Sequence, residues 1–122
     1  MLLAPTLFLC SVVSVHDGDG PIHCEQGQRI RLAGIAAREM DGTCNANQPC
    51  PAASAIDARD TLRRLVTGRT LRCRQVGMSY RRVVAWCALP SGADVSCQMV
   101  RSGTVLLWAS YDRGNRLGGC ER

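Results

Sequence analysis

Eight cysteines in a chain of 122 residues constrain this fold more than any other feature. Their number is even, none is spaced as C-x-x-C, and only two histidines accompany them. A structural zinc site draws its four ligands from closely spaced sulfur and imidazole pairs. These cysteines therefore read as a disulfide framework. Disulfides persist in oxidising media, so the expected location is the periplasm or the secreted space. The length admits one domain, residues 1–122.

Where the strands fall decides which cysteines can meet. The apolar start MLLAPTLFLCSVVSV imitates the core of an export signal but lacks a charged beginning. Residues 1–8 are accordingly expected to hold the remnant of such a signal, fused to a first strand. No stretch approaches the ~20 apolar residues of a membrane span, and no membrane partner is expected. Ser11–Val15 is β-branched, Asp17-Gly18-Asp19-Gly20 is turn chemistry, and Ile22-His23-Cys24 completes a hairpin. After a turn at Gln26-Gly27, residues Arg29–Ile35 alternate Arg29, Arg31 and Ala33 against Ile30 and Leu32, predicting a third strand.

Residues 40–51 are turn-rich and read as a loop. Pro51 suits the first position of a helix whose apolar face is Ala55, Ile56, Leu62, Leu65 and Val66, stopped by Gly68. Leu71–Val76 and Arg82–Leu89 predict two strands around a Gly77 turn. Asp94 can cap a short helix through Val100, ended by Gly103, and Val105–Trp108 is a last apolar run before a Gly- and Arg-rich tail, residues 112–122. Three strands, a helix, two strands and a helix imply an α+β fold with a small barrel.

Cys10 and Cys24 are nearly symmetric about the Asp17 turn, and Cys73 and Cys87 about Tyr80. Directly opposed antiparallel residues lie roughly 4.5–5.5 Å apart at Cα, within reach of a disulfide. The expected bonds are Cys10–Cys24 and Cys73–Cys87 across strands, and Cys44–Cys50 as a loop staple worth about 2–3 kcal/mol. Cys97–Cys120 follows by elimination and pins the tail.

The net charge is +5, and all 15 basic residues are arginine. Two readings stand beside each other: an anionic partner, which guanidinium forks suit, and a codon preference for arginine. Aromatic residues are only 4%, which excludes a broad base-stacking platform. His16 and His23 read as exposed or structural. Trp86 and Trp108 sit in apolar runs and read as core or interface.

Four segments in order, VSVHDGDG, RIRLAGIAAREM, a helix ending L-x-x-L-V-x-G, and YRRVVAWC followed by GADVSCQMVRSG, carry a resemblance. Together they resemble the thermonuclease (staphylococcal nuclease-like) family, whose pattern is roughly V-x-D-G-D-T, R-x-x-G-I-D-A-P-E, Y-G-R-x-x-A and a helix ending V-x-x-G. The likeness covers about residues 8–111, and the cysteines resemble those of its disulfide-bearing, exported proteobacterial branch. It implies an α+β, mainly β fold: a five-stranded OB-type barrel packed by two or three helices, with four disulfides. It also implies Ca²⁺-dependent cleavage of DNA and RNA phosphodiesters, with single-stranded nucleic acid as partner of a monomer.

Carried over residue by residue, the resemblance makes Arg31 and Arg82 the phosphate-holding arginines and Glu39 the carboxylate that activates water. Guanidinium forks match phosphate oxygens, and a carboxylate within one hydrogen bond of water can act as general base. Tyr80 and Tyr111 fall where family tyrosines contact nucleotide, although core or surface packing also accounts for such residues. Asp17 and Asp19 match the metal-binding D-G-D, a sequence that a plain hairpin turn also explains, and Ala37 would lend a backbone carbonyl.

The departures are Gly20 for threonine, Arg38 for proline, Arg81 for glycine and, above all, Ala36 where the second direct Ca²⁺ carboxylate belongs. Calcium affinity follows the number of charged ligands, so the expected metal site is damaged, and Arg38 adds a charge of the wrong sign. Asp41 is near enough in sequence to serve as a substitute ligand. Two functions lead: a nuclease-like phosphodiesterase of reduced activity, and an inactive OB module that binds nucleic acid or another anion or keeps only the fold; a disulfide-rich inhibitor or structural domain with no anion site is the third reading.

Overall fold

The computed structural model describes residues 6–121. Seven strands and two helices are present: β1 (Leu7–Val15), β2 (Ile22–Cys24), β3 (Arg29–Leu32), β4 (Ile35–Ala36), α1 (Ala55–Val66), β5 (Thr70–Ser79), β6 (Arg82–Ala88), α2 (Val95–Ser102) and β7 (Leu106–Leu107). Five of them close a barrel in the order β1-β2-β3-β6-β5, with β5 returning to β1. Every pairing in the barrel is antiparallel except β3–β6, where Arg31 lies beside Val84 in parallel register. This is the expected five-stranded OB-type barrel of a mainly β, α+β protein, packed by α1 and α2 and held by four disulfides.

Alternation builds the barrel wall. In β3, Ile30 and Leu32 are fully buried while Arg29 is exposed and Arg31 half-buried, as the period of two demands. Ile22, Leu71 and Ala85 join them from β2, β5 and β6, and Leu62, Val66, Val95 and Met99 close the core from the helices. Burying a side chain of the leucine or valine class stabilises by about 1.5–3 kcal/mol, so this inward set holds the barrel together.

The cysteines pair as expected: Cys10–Cys24, Cys44–Cys50, Cys73–Cys87 and Cys97–Cys120. Cys73 and Cys87 are direct cross-strand partners. Cys10 is not opposite Cys24, because Val12 holds that position and a register shift follows it, yet their Cα atoms lie 4.9 Å apart. Four disulfides fit an oxidising medium, and among the described residues no helix is long and apolar enough to cross a membrane.

Several boundaries differ from expectation for local reasons. The third strand stops at Leu32. Gly34 turns the chain with φ +78°, and Ile35–Ala36 leaves the barrel to pair with Leu106–Leu107. Helix α1 starts four residues after Pro51, because the Ser54 side chain caps it by accepting the Asp57 N–H at 3.1 Å. Ile56 then falls on the solvent side, and Ala58 takes its expected place in the core.

Gly77 is not the hairpin turn but a register irregularity inside β5, and the turn is Tyr80-Arg81. Leu7 and Phe8 belong to β1, paired with Arg74 and Cys73, so the expected export remnant reaches into the barrel; residues 1–5 lie outside the described residues. The tail is packed: Leu117 and Cys120 are buried, and the Asp112 carboxylate accepts the Arg116 and Leu117 N–H groups at 2.9 Å.

Candidate functional site

The β1–β2 turn reaches inward because two glycines leave room for it. A Cβ on Gly18 would collide with Ala58 of α1, and one on Gly20 would strike the Ile30 carbonyl at a backbone φ of +115°. The turn thus lies flat against helix and sheet, and both its carboxylates are buried, Asp17 and Asp19 each 6% exposed. Asp19 Oδ2 accepts the Ala37 N–H at 3.0 Å and pairs with Arg31 Nη2 at 3.3 Å. Asp17 Oδ1 accepts the Gly18 N–H at 2.8 Å.

Arg31, from β3, is anchored further by donating to the Leu32 carbonyl, and its guanidinium lies 6.0 Å from the Trp108 ring. Trp108 in turn meets Tyr111 edge to face, with centroids 4.5 Å apart. Arg82, at the start of β6, donates to the Ser79 carbonyl and hydroxyl at 3.4 and 3.2 Å. A guanidinium carries five N–H donors, so these few bonds orient each arginine and leave donors for a ligand.

Glu39 follows β4 at the mouth of the Cys44–Cys50 loop. Its backbone closes a tight turn, donating to the Thr43 carbonyl and accepting the Gly42 N–H, both at 2.9 Å. Its side chain accepts from Asn45 Nδ2 at 3.0 Å. The structure gathers Asp17, Asp19, Arg31, Glu39 and Arg82 around one cavity of about 320 Å³, whose wall also includes Asn45 and Gln48.

The charges in this cavity act on one another. Burial, then the neighbouring Asp19 carboxylate, push the Asp17 carboxyl up to about 6, against the Gly18 bond, which lowers it. Glu39 is raised above its ordinary value by burial first and then by Asp19 and Asp41, while Arg31 and Arg82 pull it down. Two arginines and three carboxylates therefore share one partly dry space, the kind of environment in which perturbed protonation accompanies function.

No family model matches this chain, and no curated protein matches it either.

The donor set fits a resident Ca²⁺ poorly. That ion takes six to eight oxygens and favours charged ones. Here the Arg31 guanidinium already occupies Asp19, and the buried Ala36 methyl offers no oxygen. The Ala37 N–H is donated to Asp19, so it takes up that carboxylate oxygen as well. Asp41 is committed to the Thr43 N–H and hydroxyl at 2.9 and 2.6 Å, which hold its carboxyl below the usual range. Among the described residues, no group of three or more His, Cys, Asp or Glu is placed to hold a metal ion.

Other placements refine the expectations. Arg38 does not press its charge on the cavity. Its guanidinium donates to the Pro51 carbonyl at 3.1 and 2.6 Å and to the Gly42 carbonyl at 2.7 Å, clamping both ends of the disulfide loop. Tyr80 is 94% exposed at the β5–β6 turn, and Tyr111 lies apart from the cavity, against Trp108. Trp86 is buried beneath the Arg116 guanidinium, 4.6 Å from its ring. Sequence reasoning missed Asn45, because no periodicity marks which polar residue of a loop will face inward; only the Cys44–Cys50 spacing hinted that the loop is held still.

Proposed function

We propose that this chain is a thermonuclease-like phosphodiesterase with a weakened site, acting on DNA or RNA in an oxidising, exported environment. The observation that carries the proposal is the meeting of Arg31, Glu39 and Arg82 in one cavity from three separate segments. In that arrangement the two guanidiniums bind the phosphodiester through paired N–H donors and offset the charge that develops as phosphorus becomes five-coordinate. Glu39 takes a proton from a water as its oxygen bonds to phosphorus. The ester P–O bond then breaks, and the departing oxygen collects a proton from solvent.

The Asp19–Arg31 pair and Ala36 favour a second reading, an OB module that binds nucleic acid without cleaving it. Digestion of single-stranded DNA with Ca²⁺, Mn²⁺ or chelator separates the two. Wild type is expected to cleave slowly, and Glu39→Gln to lose about 10²–10⁴ in rate, the usual worth of a general base. Ala36→Asp restores a carboxylate and is expected to raise both Ca²⁺ affinity and activity. Salt-sensitive DNA binding that Arg31→Ala and Arg82→Ala abolish, with no cleavage by any form, establishes the binding module instead.

A further inference from the structure

A second cleft, open and about 620 Å³, continues from the cavity and shares His16, Pro21 and Arg82 with it. Its other walls are His23, Arg29, Tyr80 and Arg81, and no carboxylate lines it. His23 and Arg29 are direct cross-strand partners in the β2–β3 pair. Their side chains therefore stand together on one face, an imidazole beside a guanidinium, both with N–H groups to offer one anion. Among the described residues, the Arg29 and Arg81 side chains form no hydrogen bond or ion pair, whereas Arg31 and Arg82 are both anchored. At the rim, Tyr80 opens the β5–β6 hairpin turn with φ +58°, a left-handed conformation that tight turns require. The ring it presents is almost wholly exposed.

We infer that this cleft is a second phosphate subsite, formed by His23, Arg29 and Arg81, which holds the phosphate next to the one between Arg31 and Arg82. A ligand that fills both sites spans at least two successive phosphates. Two cationic stations joined end to end, with one exposed aromatic ring beside them, match a flexible strand of alternating phosphates and bases. The inference rests on the phosphate-site reading proposed above for Arg31 and Arg82.

The test measures binding of fluorescein-labelled (dT)8 and of thymidine 5′-monophosphate to the disulfide-bonded protein, as wild type, Arg29→Glu, Arg29→Gln, His23→Ala and Arg31→Ala. The expected result is a loss of tenfold or more in (dT)8 affinity for Arg29→Glu and His23→Ala, with monophosphate affinity within twofold of wild type. Arg29→Gln should flatten the dependence of (dT)8 binding on salt by about one phosphate contact. Unchanged (dT)8 binding by the Arg29 and His23 variants, with Arg31→Ala losing both ligands, overturns the second subsite and leaves the inner site standing. If (dT)8 binding is sensitive at Arg29 but indifferent to Arg31→Ala, the cleft stands and the inner site's phosphate role falls. Failure of wild type to bind (dT)8 at all overturns both.

Discussion

At the scale of single residues, Asp17 shows how burying a carboxylate in this cavity opposes stability. Its carboxyl is lifted to about 6 from an ordinary 3.8, so the folded protein binds that proton more tightly than the unfolded chain does. Unfolding therefore becomes easier as pH climbs from 3.8 toward 6, and the penalty is complete above that range. Asp17→Asn is expected to stabilise the fold by about 1–3 kcal/mol at pH 7, because each tenfold difference in proton affinity between folded and unfolded chain is worth ~1.4 kcal/mol. At pH 4 the gain should be much smaller. Thermal melts across that range check it. Asn45 acts in the opposite sense on Glu39, because its amide donates to the carboxylate and a donor favours the charged form. The acid limb of kcat/KM should lie above the ordinary glutamate value in wild type and move higher still in Asn45→Ala, lowering the rate on the acid side. An unmoved limb in a pH–rate profile would remove Asn45 from the site.

At the scale of elements, residue pattern predicts structure where one physical rule acts alone. The alternation of Ile30 and Leu32 and the Asp94 cap of α2 needed no tertiary information, and Asp94 does accept the Cys97 N–H at 2.9 Å. The misplaced boundaries lie where long-range packing overrides a local signal. No polar or charged residue interrupts Ala33-Gly34-Ile35, so the sequence does not announce that β3 ends before Gly34. The chain turns at Gly34, packed so closely under the Trp86 ring that no side chain fits: a Cβ would lie 2.7 Å from that ring and 2.9 Å from Leu117. Gly34→Ala meets both this clash and φ +78°, and is expected to destabilise by about 2–4 kcal/mol, measured by urea unfolding. Likewise Gly77 has the better turn chemistry, yet Tyr80-Arg81 turns, because the register of Arg72–Ser79 against Arg82–Ala88 places the hairpin end there. The candidate site followed the same division: Arg31, Glu39 and Arg82 were legible from motif spacing, while Asn45, the Arg38 clamp and the outer cleft depend on how loops and strands meet.

At the scale of the whole molecule, one disulfide ties barrel strands and another a loop beside the cavity, and removing each should separate stability from activity. Cys73–Cys87 spans two barrel strands, whereas Cys44–Cys50 closes a loop beside Glu39. Cys73→Ala/Cys87→Ala is expected to cost about 2–4 kcal/mol in denaturant unfolding. Cys44→Ser/Cys50→Ser should cost less stability, since the closed loop is short and Arg38 still grips both its ends, but should slow hydrolysis by releasing Asn45. Equal losses of stability in the two variants would contradict that division.

The parallel β3–β6 seam has one more consequence. Arg31 and Arg82 stand on opposite sides of it, in strands far apart in the chain whose pairing closes the barrel. An anion spanning the two arginines clasps the seam itself, so its binding free energy adds directly to the cost of opening the barrel. Such a ligand would work as a latch on the fold, holding the cylinder against rupture at its parallel seam.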